Sequence, residues 1–317
     1  QFGSHPAPFI TRRVLSWRRV PRQTWRAERR TPRMPPAAVY LVAAMIVATA
    51  AGKPRQCVDC VVKLGGSAAT IKARFETLNE DALSQTAEML AIARKADPGL
   101  KVVVVHGAGS FGHHQAKAYA IQSGAEAHPE GALGFAKTRS SVTRLNGLVV
   151  KALVDAGVPA VGISPFPSWM TDQGHLAVDA MDPVANALDA GLVPVLHGDA
   201  VLDAAQGWAI LSGDDIIVRA AEALAPRRAI FLMDVAGVHD RPPDEQGAVL
   251  IRRIDVDADG HAYLPRTSVA THDVTGGLRR KLDSAFKLAA AGVPTYLVQV
   301  GSESAREAIS GELPSIG

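Results

Sequence analysis

Asp189-Ala190-Gly191-Leu192-Val193-Pro194-Val195 is the stretch that decides the fold. A glycine after a helical run takes the left-handed cap, the following proline forbids further helix, and the β-branched residues around it form strand. The same junction recurs at 155–161 (DAGVPAV) and at 290–296 (AAGVPTY). Outward from these points, short aliphatic runs alternate with amphipathic stretches. Strands are predicted at Val58–Leu64, Val102–His106, Ala160–Ile163, Val193–Leu196, Ala229–Met233 and Thr295–Val300. Helical periodicity covers Asn79–Ala96, Leu133–Ala156, Pro183–Ala190, Asp214–Ala223 and Gly277–Ala291. Continuously aliphatic strands fed by helices make a parallel sheet covered on both faces. The expected class is therefore α/β, an open αβα sandwich with a largely parallel central sheet. Two stretches break the rhythm: Val201–Leu211 reads as a hairpin around 204–207, and Arg241–Gly277 contains a second turning at Asp259-Gly260.

Composition narrows the function. The 317 residues are 47% hydrophobic but only 5% aromatic, so the core is built from Ala, Val, Leu and Ile. The net charge of +3 hides an asymmetry: residues 1–55 hold eleven Lys/Arg against the single acid Glu28. The rest of the chain carries 23 basic and 30 acidic groups, which removes the case for a nucleic-acid partner. Residues 1–56 form a basic leader with an apolar segment, and 57–317 form one domain. Segment 1–33 is Arg-rich like an organellar transit peptide, or lies upstream of a start at Met34 or Met45; both readings stay open, with the cytoplasm favoured over plastid or mitochondrial import. Ala37–Gly52 gives sixteen uncharged residues, fewer than the roughly 20 a membrane span needs, so no stable membrane insertion is expected. Cys57 and Cys60 have redox spacing, yet they fall where the first strand begins and are expected to act as small hydrophobes.

The chemistry sits at strand ends, where α/β sheets bind ligands. The first strand closes on Lys63-Leu64-Gly65-Gly66-Ser67 with Lys72 shortly after; glycines there let backbone N–H groups approach phosphate oxygens. The second closes on His106-Gly107-Ala108-Gly109-Ser110-Phe111-Gly112-His113-His114, a second cradle with a histidine at its far end. GAGSFG also fits the dinucleotide pattern GxGxxG, but no strand follows to carry the acidic residue that pattern needs. Single aspartates mark later strand ends: His197-Gly198-Asp199, Gly213-Asp214-Asp215, and Asp234-Val235-Ala236-Gly237-Val238-His239-Asp240. Gly276-Gly277, with Lys281 one turn on, opens the last long helix, a ready site for nucleotide phosphates. Two cradles and three lysines suit an enzyme with two phosphate sites.

KLGGS…K, HGAGSFGH, ISPF, LHGDAVLD, ILSGDD, DVAGVHDRPP and HDVTGGLRRK, in this order over about 58–313, resemble the amino-acid kinase superfamily, and within it the isopentenyl phosphate kinases of the eukaryotic type. The resemblance implies the amino-acid kinase fold, a homodimer, an acceptor-binding part over about 57–200 and an ATP-binding part over about 201–317. It implies transfer of the γ-phosphoryl of ATP, carried with Mg²⁺, to isopentenyl phosphate, with dimethylallyl phosphate as a further candidate. His113 would hold the acceptor's phosphate, with backbone contacts from Gly107, Ala108, Gly109, Gly112 and Gly198. Lys63 and Lys281 would neutralise the moving phosphoryl, and Asp214 would orient them. Gly65, Gly66, Ser67, Lys72, Asp234, Gly237, Val238, Asp240 and Gly277 would complete the ATP site. No metal ligand is assigned to the protein, since Mg²⁺ arrives on ATP. Ala68-Ala69 departs from archaeal members, which tend to have branched residues there. Phe135, Val142 and Leu145 are candidates for an isoprenoid pocket, but the reading as plain core is favoured and they are not assigned to the site. The rival readings are a kinase of the same fold with a fosfomycin-, acetylglutamate- or UMP-type acceptor, and a non-catalytic ligand-binding regulator.

Overall fold

A computed structural model describes residues 58–241, 245–257, 259–263 and 276–312. The first half runs β1 (Cys60–Leu64), α1 (Gly66–Ala69), α2 (Glu80–Ala96), β2 (Val102–His106), α3 (Gly109–Ala118), α4 (Gly131–Asp155), β3 (Ala160–Gly162), β4 (Met170–Asp172) and β5 (His175–Val178). The second runs α5 (Asp182–Asp189), β6 (Val193–His197), β7 (Asp199–Asp203), β8 (Gly207–Leu211), α6 (Gly213–Leu224) and β9 (Arg228–Met233). Short strands β10 (Val238–His239), β11 (Leu250–Ile251), β12 (Asp255–Val256) and β13 (Ala262–Tyr263) follow, then α7 (Gly276–Ala290), β14 (Thr295–Gln299) and α8 (Glu303–Ser310).

The central sheet has the order β14-β9-β1-β2-β6-β3, and every pairing in it is parallel. Alternation along each strand feeds two cores. Cys60, Val62 and Leu64 of β1 pack with Val102, Val104, Ile230 and Leu232 on one face. Val61 packs with Val103, Val105, Ala229 and Phe231 on the other. The cysteine expectation holds for Cys60, which is buried in β1 with its thiol pushed up to about 12 by desolvation; Cys57 lies outside the described residues.

The three recurrent junctions fold identically. Val158, Leu192 and Val293 donate N–H to Leu153, Ala187 and Leu288, while Gly157, Gly191 and Gly292 donate to Val154, Leu188 and Ala289. These paired bonds close a Schellman cap, and each glycine sits at φ between 78° and 87°. Both expected hairpins are present, β7–β8 and β12–β13. Beyond expectation, β4 and β5 form a further hairpin that joins them in a four-stranded sheet, β5-β4-β7-β8.

Asp203 ties that small sheet together. Its carboxylate accepts N–H groups from Gly174, Ala205 and Gln206 at 2.8, 3.0 and 2.9 Å, and the Thr171 hydroxyl at 2.8 Å. Burial alone would raise its pKa, but these donors outweigh that and bring it to about 2. The folded pKa is depressed, so its stabilisation is present above the unfolded value near 3.8 and is lost as pH falls toward 2. Asp203→Ala is expected to cost about 2–3 kcal/mol, the scale of hydrogen bonds to a charged group. Urea unfolding at pH 7 checks this; an unchanged midpoint would remove Asp203 as the anchor.

Candidate active site

The loops at the carboxyl ends of β1, β2, β6 and β9 meet, and glycines allow the approach. A Cβ on Gly66 would lie 2.7 Å from the amide nitrogen of Gly109, and one on Gly107 would lie 2.6 Å from that of Gly66. The two cradles therefore cross backbone on backbone, and only glycine fits. Gly198 joins them: its N–H donates to the carbonyl of His106 at 2.9 Å, and its Cβ position is 3.6 Å from the nitrogen of Ala108. Gly112 closes α3 onto α4, with Val142 3.2 Å from its Cβ position.

Lys63 lies two residues from Val61 and so shares its face of the sheet, the side on which α6 packs. It is buried, and its ammonium pairs with Asp214 at 2.7 Å. Asp214 stands in the first turn of α6, where the Ser212 side chain caps the helix by accepting the Asp214 N–H. Lys281, on α7, is also buried, and its Nζ lies 3.5 Å from the Cβ position of Gly65. Burial and then the charge of Lys63 hold its pKa below that of an ordinary lysine, against the pull of Asp234 and Asp214. Lys63, Asp214 and Lys281, the three groups expected together, thus share one field, to which Asp234 adds.

His113 stands on α3 with part of its surface open to solvent. Partial burial, then Lys72, His114 and Arg280, hold its pKa below the ordinary histidine value. Lys72, expected to reach the ATP phosphates, is thereby placed within the field of His113, and its carbonyl meets Nε2 of His114 at 3.2 Å. Ser67 is exposed at the start of α1. Arg280, left unassigned by the sequence reading, adds a cation from α7 to the His113 environment; its place next to Lys281 was the available signal.

The expected nucleotide residues lie on the segment after β9. Asp234 is exposed, and its carbonyl accepts from Gln299 at 3.4 Å. Gly237 and Val238 line a cavity of about 590 Å³ together with Leu250, Phe286, Tyr296 and Leu297. The Asp240 carboxylate is committed locally: it accepts the Val249 N–H at 2.8 Å and pairs with Arg241, and these contacts keep its pKa low. It thereby braces the β10–β11 hairpin. Gly277 lies in the first turn of α7, while 271–275 of the same motif fall outside the described residues.

Of the isoprenoid-pocket candidates, Val142 and Leu145 are fully buried, and Leu145 belongs to the main core. Phe135 instead meets Phe166 edge-on, with ring centres 5.7 Å apart, and the ring of Trp208 at the same spacing. Buried Asp199 pairs with Arg139, whose guanidinium lies over Phe166 at 4.4 Å. No carboxylate cluster for a metal occurs at the cleft among the described residues; the one candidate group, Asp257, Asp259 and His261, belongs to the β12–β13 hairpin.

A parallel sheet with two crossed glycine cradles and paired buried lysines defines a phosphotransferase of one known type. The chain belongs to the amino acid kinase family, whose model matches residues 60–299. It is similar to the isopentenyl phosphate kinase of Arabidopsis thaliana, 38% identical with 81% of this chain and 91% of the relative covered. Similar too is the isopentenyl phosphate kinase of Haloferax volcanii, at 36% identity over 80% of this chain and 96% of the relative. Among solved structures, an isopentenyl phosphate kinase overlays with a TM-score of 0.64 at 30% identity, covering 80% of this chain and 96% of its own. A product complex of the T. acidophilum isopentenyl phosphate kinase overlays at 0.61, with 27% identity and coverage of 77% and 92%. The α/β expectation and the resemblance read from the motifs both stand.

Proposed function

We propose that this chain is an isopentenyl phosphate kinase that converts isopentenyl phosphate and ATP to isopentenyl diphosphate and ADP. The observation that carries the reading is the crossing of the Gly65-Gly66 and Gly107–Gly109 loops beside Lys63, Asp214 and Lys281. That cleft supports two phosphates of different molecules held close enough to react. The bond from the γ-phosphorus to the oxygen bridging to the β-phosphate breaks, and its electron pair leaves with ADP. An oxygen of the acceptor phosphate forms the new bond. The acceptor is already an anion, so positioning and charge neutralisation suffice and no strong base is needed.

In this reading His113 binds the acceptor phosphate, with Lys72 and Arg280 adding to its field, and Lys63 and Lys281 neutralise the transferring group. Asp214 keeps Lys63 in place. The cavity beside Gly237 and Val238 supports their assignment to the nucleotide. Mg²⁺ supplies further neutralisation when it enters on the ATP phosphates. Dimethylallyl phosphate is a second acceptor, a homodimer is the expected assembly, and the cytoplasm is the favoured compartment. Among the described residues no helix is long and apolar enough to cross a membrane. ADP release that depends on added isopentenyl phosphate tests the reading; equal release with and without it would overturn it.

The leader gives a separate test. Deleting residues 1–53 is expected to leave activity and solubility unchanged within about twofold, because that basic stretch has too little apolar surface for a core. An insoluble or inactive 54–317 protein would show that the apolar run 37–52 packs on the body.

A further inference from the structure

Two histidines outside the assigned site stand at neighbouring strand ends. His106 closes β2 and His197 closes β6, paired in register. Both are fully buried, and their rings stack with centres 5.6 Å apart. Each Nδ1 meets the carbonyl of the next residue: Gly107 at 3.0 Å for His106, and Gly198 at 3.0 Å for His197. A carbonyl can only accept, so Nδ1 carries the proton in both rings. Nε2 then presents a lone pair. That of His106 faces Nδ2 of Asn146 at 3.1 Å, and the same amide donates to Val195 at 3.2 Å. That of His197 faces the Ser164 hydroxyl at 2.7 Å. Every polar atom of the pair has a partner matched to the neutral ring.

Adding a proton to His106 would set Nε2–H against the Asn146 amide donor, and a proton on either ring would place charge beside the other; the Ser164 hydroxyl facing His197 can donate or accept. Burial lowers both pKa values, to about 3 for His106, with His197 and Lys63 adding to the effect, and to about 4 for His197, where Arg139 adds. Neither ring can serve as an acid or base near neutrality. What each does hold is a glycine carbonyl of the phosphate cradle. Across a planar trans peptide the C=O and the following N–H point in opposite directions. Fixing the Gly107 carbonyl against His106 therefore turns the Ala108 N–H away from the ring, toward the space that Gly198 leaves open.

The geometry points to His106 and His197 as a positioning pair that locks the Gly107 and Gly198 carbonyls and so aims the cradle's amide at the acceptor phosphate. This rests on the acceptor-site reading proposed above. Purely structural rings would set stability alone; this pair must also set acceptor affinity.

Two substitutions of His106 separate the roles. Asparagine keeps an N–H donor at the Nδ1 position, whereas glutamine carries its amide out to the Nε2 position. His106→Gln is expected to raise KM for isopentenyl phosphate about ten- to a hundredfold, the scale of one oriented hydrogen bond to an anion, with KM for ATP within about twofold. His106→Asn should recover most of that loss. Identical behaviour of the two variants, or an equal rise in both KM values, would overturn the proposal. Nitrogen-15 NMR of the full-length wild-type protein gives a reading independent of activity and of variant folding. Both rings should show protonated Nδ1 and bare Nε2, unchanged down to about pH 5.5, where an ordinary histidine has already titrated. An Nε2–H tautomer or an ordinary titration in either ring would equally overturn it. Should isopentenyl phosphate prove not to be the acceptor, these NMR signatures would persist, so the two failures are distinguishable.

Discussion

Replacing His113 with alanine is expected to lower kcat/KM for isopentenyl phosphate by about 10²–10³, the loss associated with one donor directed at developing charge. His113 stands on α3, the helix that starts at the crossed cradles, with Lys72, His114 and Arg280 in its field. Its pKa in the free protein lies below the ordinary value because partial burial and then these cations disfavour the charged ring. A bound phosphate reverses that balance, so acceptor binding should draw in a proton and weaken as pH rises. The alanine variant should lose this pH dependence along with the activity. His114→Ala should remain active, since that ring is turned to the Lys72 carbonyl and, edge-on, to Phe75. Wild-type kcat/KM in His113→Ala would remove the residue from the acceptor site.

Lys281→Ala is expected to reduce kcat by about 10²–10³ while KM for ATP moves little, because charge on the bridging oxygen grows only as the phosphoryl leaves. Lys281 is buried beside Gly65 and shares the field of Lys63, Asp214 and Asp234. Its lowered pKa makes a further mark: the alkaline fall in kcat should begin earlier than for an exposed lysine. Lys281→Arg, with a charge that does not titrate in this range, should move that limb upward wherever it retains turnover. A rise in KM for ATP with constant kcat would make Lys281 a binding lysine instead.

The sheet was legible because its signals are local. Each Gly-x-Pro or Gly-x-x-Pro junction carries its own cap, stop and strand start, and the six aliphatic runs needed no outside information. Helix α3 was not legible. Glycines at 107, 109 and 112 argue against helix by propensity, and they are accommodated because the loops cross and because Gly112 must lie against Val142. The β4–β5 hairpin was missed for a related reason: its strands are short, and their order depends on Asp203, some thirty residues away, gathering the turn amides. The candidate site divides in the same way. Lys63, Asp214, His113 and Lys281 sit in recognisable strand-end and helix-start motifs. His106 and His197 stood in those same motifs, but their ring partners come from Asn146 and Ser164, which no spacing rule connects to them.

The central claim is the identity of the acceptor, and a competition measures it most directly. The full-length protein is given ATP, Mg²⁺ and equal concentrations of isopentenyl phosphate, N-acetylglutamate, UMP and fosfomycin, and the products are followed by phosphorus NMR. The account predicts isopentenyl diphosphate formed one-for-one with ADP, and no other phosphorylated product until isopentenyl phosphate is depleted. Preferential phosphorylation of any other acceptor, or ADP without the diphosphate, would contradict it.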